Sequence, residues 1–411
     1  MVGSLPGLAE IRAQFPSLGS GFGFFDHAGG SQVPGVVIDE ISRFYREEYA
    51  QKGATYRASL EATRLHDECK LFMNRLFGGE ATGSVAVGPS ATALFGMLAG
   101  VYSRELSAGD EIVISVANHE SNIGCWERLQ EFGVVVKWWG VDPMTGLSSV
   151  YDLESVVTPR TKMIIFPMTC NLYGDVLDVQ GVASIAKRIG AVTVVDAVAA
   201  AAHQVLAVEE WGIDFCAVSC YKIYGPHMAA MWGRNELWSR LTGPNHRQLT
   251  GGVVRFELGC LSYESMAGFL ALGRYLGFLV GEPVEPGVAA SRSVIERAFE
   301  RMEKLEDPIE EAMLGWLNSR DDLRVLGVTS AGQERHPTFS IVHRSMASDE
   351  IERRVNLEGS CGVKGGHFYA WRACEAVGIA PEPGVVRVSA VHTNTVDEVM
   401  RVCGILERAL G

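Results

Sequence analysis

The chain has 411 residues, 47% of them hydrophobic and 21% charged, which is ample for a full core and too long for one small domain. At about 150 residues per domain, two or three domains are expected. The formal net charge of −13 argues against a nucleic-acid groove or an anionic membrane surface as the main partner. The nine cysteines form no C-x-x-C pair, and several lie in apolar runs such as Phe215-Cys216-Ala217-Val218. That pattern speaks against a disulfide scaffold or a structural metal. No signal peptide or membrane span is read, so a reducing cytoplasm is the expected setting.

From about residue 80 to 235, short apolar runs alternate with segments of helical period. Strands are predicted at 84–87, 111–115, 134–138, 162–167, 191–195 and 214–218, and helices at 90–103, 120–132 and 179–189. Strands buried on both faces and separated by helices predict a mostly parallel α/β sheet. Beyond about 265 the composition shifts. A helix at 266–281, a Pro/Gly loop at 281–287 and a long charged helix at about 288–319 precede strands at 338–343 and 384–390 and a final helix at 396–409. The expected organisation is a large α/β domain over 22–270 and a smaller α+β domain over 271–411, with residues 1–21 packing on the smaller one.

Ligands of open α/β sheets bind beyond the carboxyl ends of the strands. The polar residues just after the predicted strands are Ser90 and Thr92, His119, Asn171, Asp196, and Ser219 with Lys222. Together they meet the needs of pyridoxal phosphate. Lys222 would form the Schiff base and later move protons at the substrate's α-carbon. Asp196, ending an apolar run, would face the pyridine nitrogen. His119 would cover one face of the ring, and Ser90-Ala91-Thr92 at a helix start would hold the phosphate.

Several segments then resemble the class V aminotransferases. These are Phe24-Phe25-Asp26-His27-Ala28-Gly29-Gly30, His119-Glu120-Ser121-Asn122, Asn171-Leu172-Tyr173-Gly174, Asp196 with His203, Ser219-Cys220-Tyr221-Lys222-Ile223-Tyr224-Gly225-Pro226, Arg255–Gly259 and Gly384–Ser389. They follow one another in order from about residue 20 to the C-terminus, and the likeness is nearest to the cysteine desulfurase-like branch. The resemblance implies fold-type I of the pyridoxal-phosphate enzymes and a homodimer with its active site at the subunit interface. It also implies an amino-acid substrate whose carboxylate is gripped by Arg387. It adds Tyr221 and Cys260 as cofactor-side positions, Asn171 as a contact to the cofactor 3′-oxygen, and His27, Gly29, Tyr56, His367 and Tyr369 on the substrate side. His203 is left between a structural hydrogen bond and a direct contact.

Three departures accompany the resemblance. Tyr369, in Val363-Lys364-Gly365-Gly366-His367-Phe368-Tyr369, stands where desulfurases carry their nucleophilic cysteine, and a tyrosine cannot carry a persulfide. Ala199 replaces a cofactor-bonding glutamine, and Cys260 replaces a threonine that reaches a neighbouring subunit's phosphate. The expected reaction is therefore a desulfurase-like lyase step, β/γ-elimination or C–S cleavage, passing through a Lys222 aldimine and a Cα carbanion without a persulfide cysteine. An aminotransferase, an epimerase using Tyr369 or His367, and a non-catalytic cofactor-binding sensor or scaffold are the alternatives.

Overall fold

The computed structural model describes residues 5–332 and 334–411. Its centre is a seven-stranded sheet. The strands are β1 (Gly83–Gly88), β2 (Glu111–Ser115), β3 (Val135–Trp139), β4 (Thr161–Pro167), β5 (Val192–Asp196), β6 (Phe215–Ser219) and β7 (Ala229–Arg234), in the spatial order β1-β7-β6-β5-β4-β2-β3. β3, β2, β4, β5 and β6 pair in parallel, each with its neighbour, while β7 runs antiparallel to both β1 and β6. The carboxyl ends of β1 to β6 therefore share one edge of the sheet.

Side-chain alternation explains why this sheet is buried on both faces. Val87, Val113, Ile164, Val195 and Val218 join one apolar cluster, and their neighbours Ala86, Ile114, Ile165, Val194 and Ala217 join another. Helices α1 (Gly35–Glu47), α2 (Arg57–Phe77), α4 (Val179–Ile189) and α5 (Tyr263–Leu279) supply the first cluster, while α3 (Ala91–Tyr102) supplies the second.

A four-stranded antiparallel sheet forms a second layer, with β8 (Leu323–Val325), β9 (Thr338–His343), β10 (Lys364–Gly366) and β11 (Val385–Ser389) in the order β10-β11-β9-β8. Its core gathers Phe339, Ile341, Val386 and Val388 with residues of the C-terminal helix Val396–Leu410. Helix α6 (Arg292–Leu317) serves both cores: Val294, Phe299 and Met302 enter the first, and Ile309, Met313 and Leu317 the other. The start of the chain also joins the two. Ile11, Phe15 and Leu18 lie in the large core, whereas Gly23–Phe24 pairs with Cys361–Gly362 and Phe25 lies in the small core.

Two sequence expectations are corrected. The run 120–132 is not one helix but two 3₁₀ turns around a short helix at Gly124–Glu127, because the backbone leaves the helical region at Ile123 (φ −121°, ψ −64°). Strand β7 was not foreseen, since Ala229, Ala230 and Gly233 carry little strand propensity. Pairing on both sides makes it a strand.

Candidate active site

Strands β1, β2, β4, β5 and β6 each lead to a polar residue at the shared edge. Ser90 follows β1 and caps α3, accepting a hydrogen bond from the Ala93 N–H. The N–H groups of Ala91 and Thr92, in the first helical turn, have no helical carbonyl to bond and form an anion-seeking end. His119 follows β2; its Nδ1 accepts from the Ser121 N–H at 3.1 Å, which leaves the proton of the neutral ring on Nε2. Asp196 is the last residue of β5, and Ser219 the last of β6.

Lys222 lies in a 3₁₀ turn directly after β6. Its loop is held from two sides. The Ser31 hydroxyl donates to the Tyr221 carbonyl and accepts from the Tyr224 N–H at 2.8 Å, and the Gly225 N–H reaches the Cys220 carbonyl. Tyr224, at φ 58°, turns its hydroxyl to the Ala202 carbonyl and to His392.

These residues line two chambers. The inner one, of about 80 Å³, is walled by Ser90, Thr92, Thr169, Asp196 and Ser219. The outer one, of about 760 Å³, is walled by Asp26, His27, His367, Tyr369 and Arg387. His119, Asn171, Tyr221 and Lys222 belong to both and form the partition. Among the described residues, no cysteine lines either chamber. Cys361 is fully buried, in the two-residue strand that pairs with Gly23–Phe24.

Burial sets the charge states. The Lys222 ammonium is pushed down to about 8 by burial and by Arg387, against the pull of Asp196 and Asp26. Burial raises the Asp196 carboxyl to about 6, although the Val198 N–H bonds its Oδ1 at 2.9 Å. His119 is lowered to about 4 by burial, Lys222 and Arg387, so its imidazole is neutral at pH 7. His27 is lowered to about 3, chiefly by burial, and both its ring nitrogens lack partners.

Arg387, on β11, is almost wholly buried. It donates from Nη1 to the Asn171 carbonyl at 2.9 Å and from Nη2 to Asp26 Oδ1 at 2.8 Å, and its guanidinium lies 3.8 Å from the centroid of the Phe368 ring. Phe368 and Tyr369 both adopt positive φ, 52° and 58°, and are pinned there. The Phe368 carbonyl accepts from Asn171 Nδ2 at 2.8 Å, and the Tyr369 carbonyl accepts from the Glu120 N–H at 2.7 Å. Backbone strain of this kind persists where surrounding contacts over-determine it.

Most of the residues singled out in the sequence therefore meet in one place. Three do not within a single chain. His203 donates from Nδ1 to Glu306 Oε2 at 2.9 Å and stacks on His336, in a separate acidic cleft. Cys260 is exposed beside Gln51, and Tyr56 is exposed away from the two chambers. The sequence reading missed Asp26 as the partner of Arg387, Phe368 as its stacking face, and Thr169. An acid in the apolar run Phe24-Phe25-Asp26 was the available signal, because a buried guanidinium requires a counter-charge.

The model of the class-V aminotransferase family matches residues 23–402. The chain belongs to that family. It is 29% identical over 413 residues to the aminotransferase-like protein FGM3 of Gibberella zeae, covering 98% of both chains. It is 27% identical to the cysteine desulfurase-like protein ustD of Aspergillus flavus, over 97% of this chain and 89% of that one. In fold it is similar to a cysteine desulfurase from Thermococcus onnurineus NA1, with a TM-score of 0.85 at 21% identity over 99% and 98% of the two chains. The fold is that of the type I pyridoxal-phosphate enzymes, and the cofactor is pyridoxal 5′-phosphate.

The inner chamber fits that group. Thr169 Oγ1 and Asn171 Oδ1 are buried without hydrogen-bond partners there, an acid and an amine face the same space, and the α3 N-terminus offers free N–H groups. A buried polar atom without a partner costs about 1–3 kcal/mol, which a polar ligand can recover.

Proposed function

We propose that the chain is an amino-acid lyase, working by elimination or C–S cleavage, that uses pyridoxal phosphate without a persulfide cysteine. The observation that carries this reading is the partition itself: Lys222 and His119 stand between a cofactor-sized set of donors and an outer chamber that, among the described residues, is lined by no thiol. Ser90, Ala91, Thr92 and Ser219 would hold the phosphate, Asp196 the ring nitrogen, Asn171 the 3′-oxygen, and His119 one ring face. When bound, the cofactor supplies an electron-accepting ring that stabilises negative charge at the substrate's α-carbon.

The protein's own groups do the rest. Arg387 holds the substrate carboxylate. Lys222, with its affinity for protons lowered toward neutrality, takes the α-proton from the partition side. Neutral His119 covers the site without adding a competing cation. His367 and Tyr369 also line the outer chamber, with the Tyr369 ring 5.3 Å from that of His119, and would hand a proton to a leaving group there. A homodimer in a reducing cytoplasm accompanies this reading, with Tyr56 and Cys260 on the outside of the single chain and all nine cysteines unpaired. No helix among the described residues is long and apolar enough to cross a membrane.

A panel of amino acids incubated with the cofactor-loaded protein tests the reaction class. A keto acid with ammonia, joined by sulfide when the substrate is cysteine, is the expected result. A keto acid released once per protein without ammonia identifies transamination, and solvent deuterium at Cα without net change identifies epimerisation; either outcome overturns the lyase reading.

A further inference from the structure

A guanidinium as buried as that of Arg387 is costly to leave without a counter-charge. Here the counter-charge belongs to the protein itself. Asp26 bonds Nη2 through one oxygen, Oδ1, at 2.8 Å, while its side chain remains 37% exposed on the wall of the outer chamber. Its backbone is fixed, because Asp26 bridges Ser389, the Ser389 N–H bonds the Phe25 carbonyl, and the Ala28 N–H bonds the Ser389 hydroxyl. The carboxylate is not so confined. A side chain at Gly29 would place its Cβ 2.8 Å from Asp26 Oδ2, so the glycine keeps the space beside the acid's second oxygen clear. Arg387 Nε, also buried, has no partner. With the Asn171 carbonyl on Nη1 and Phe368 on the ring face, Asp26 is the one acid bonded to this guanidinium among the described residues.

We propose that Asp26 is a specificity-determining residue: an internal carboxylate that neutralises Arg387 and gives way to the substrate's carboxylate when it arrives. The inference rests on the reading that Arg387 takes an α-carboxylate. Binding is then an exchange of one carboxylate for another, so Asp26 weakens the binding of acids while leaving neutral ligands unaffected. Without Asp26, the full charge of Arg387 would be offered to any carboxylate reaching the chamber.

The cofactor-loaded wild type, Asp26→Asn and Arg387→Gln proteins are titrated with L-alanine and with L-alaninamide, following the absorbance of the lysine-bound cofactor. Asn keeps the shape and can still accept from Nη2. L-Alanine is expected to bind Asp26→Asn roughly tenfold more tightly, the scale of one charge-assisted hydrogen bond, with the amide changed by less than about twofold. Weaker binding of alanine to Asp26→Asn, or an equal shift for both ligands, overturns the exchange. Wild-type binding of alanine by Arg387→Gln overturns the carboxylate reading itself, and is distinguishable because it does not involve Asp26. A structure of the wild-type protein with L-alanine gives an independent check. The ligand carboxylate is expected on Arg387 with Asp26 turned away, and an Asp26–Nη2 bond that persists beside the ligand contradicts the proposal.

Discussion

Asp196 shows how the site trades stability for chemistry. A carboxyl raised from 3.8 to about 6 by burial binds its proton more tightly in the folded chain than in the unfolded one. Above pH 6 the ionised form therefore costs the fold up to about 3 kcal/mol; the penalty shrinks as pH falls through 6 and is gone below the unfolded value. Asp196→Asn, which keeps an oxygen for the Val198 N–H, is expected to raise the stability of the cofactor-free protein at pH 8 in urea unfolding, with little gain at pH 4. The same variant should lose roughly a hundredfold or more in turnover, because the cofactor ring loses its anionic partner. The place of Asp196 on the inner chamber wall was legible because it ends a largely apolar strand. The Asp26–Arg387 pair was not, since its members lie 361 residues apart and only the fold brings them together.

At the scale of elements, the strands that carry the site were readable because both sheet faces are buried and each run is bounded by turn residues. Their lengths place Ser90, His119, Asn171, Asp196 and Lys222 on one edge. The missed strand β7 shows the limit: its residues are poor strand formers, and Trp232 fits only because Gly79 and Gly83 leave space where a Cβ would lie about 2 Å from its ring. The turn after β6 depends on an equally tight fit. A Cβ at Gly225 would lie 2.5 Å from the Phe269 ring and 2.9 Å from the Cys220 carbonyl, so the loop bearing Lys222 cannot accept it without moving. Gly225→Ala is expected to cost about 1–3 kcal/mol in denaturant unfolding and to weaken cofactor retention during dialysis. Full stability with full retention would show that this packing does not position the lysine.

Over the whole molecule, the site lies where two separately packed cores meet. The large sheet supplies the partition and the inner chamber, and the small sheet supplies Arg387 and the His367–Tyr369 wall. Helix α6 and the chain start tie the two cores together. The compositional shift near 265 gave no sign that Gly23–Phe24 would pair with Cys361–Gly362, because a strand of two residues leaves no periodic pattern. On the proposed function, Lys222 is the residue that joins cofactor to protein. Borohydride reduction of the cofactor-loaded chain, followed by peptide mass mapping, tests it directly. A single phosphopyridoxyl adduct is expected on the Ser219–Pro226 segment at Lys222, absent from Lys222→Ala; an adduct on another lysine, or an unchanged map in that variant, would rule out Lys222 as the attachment point.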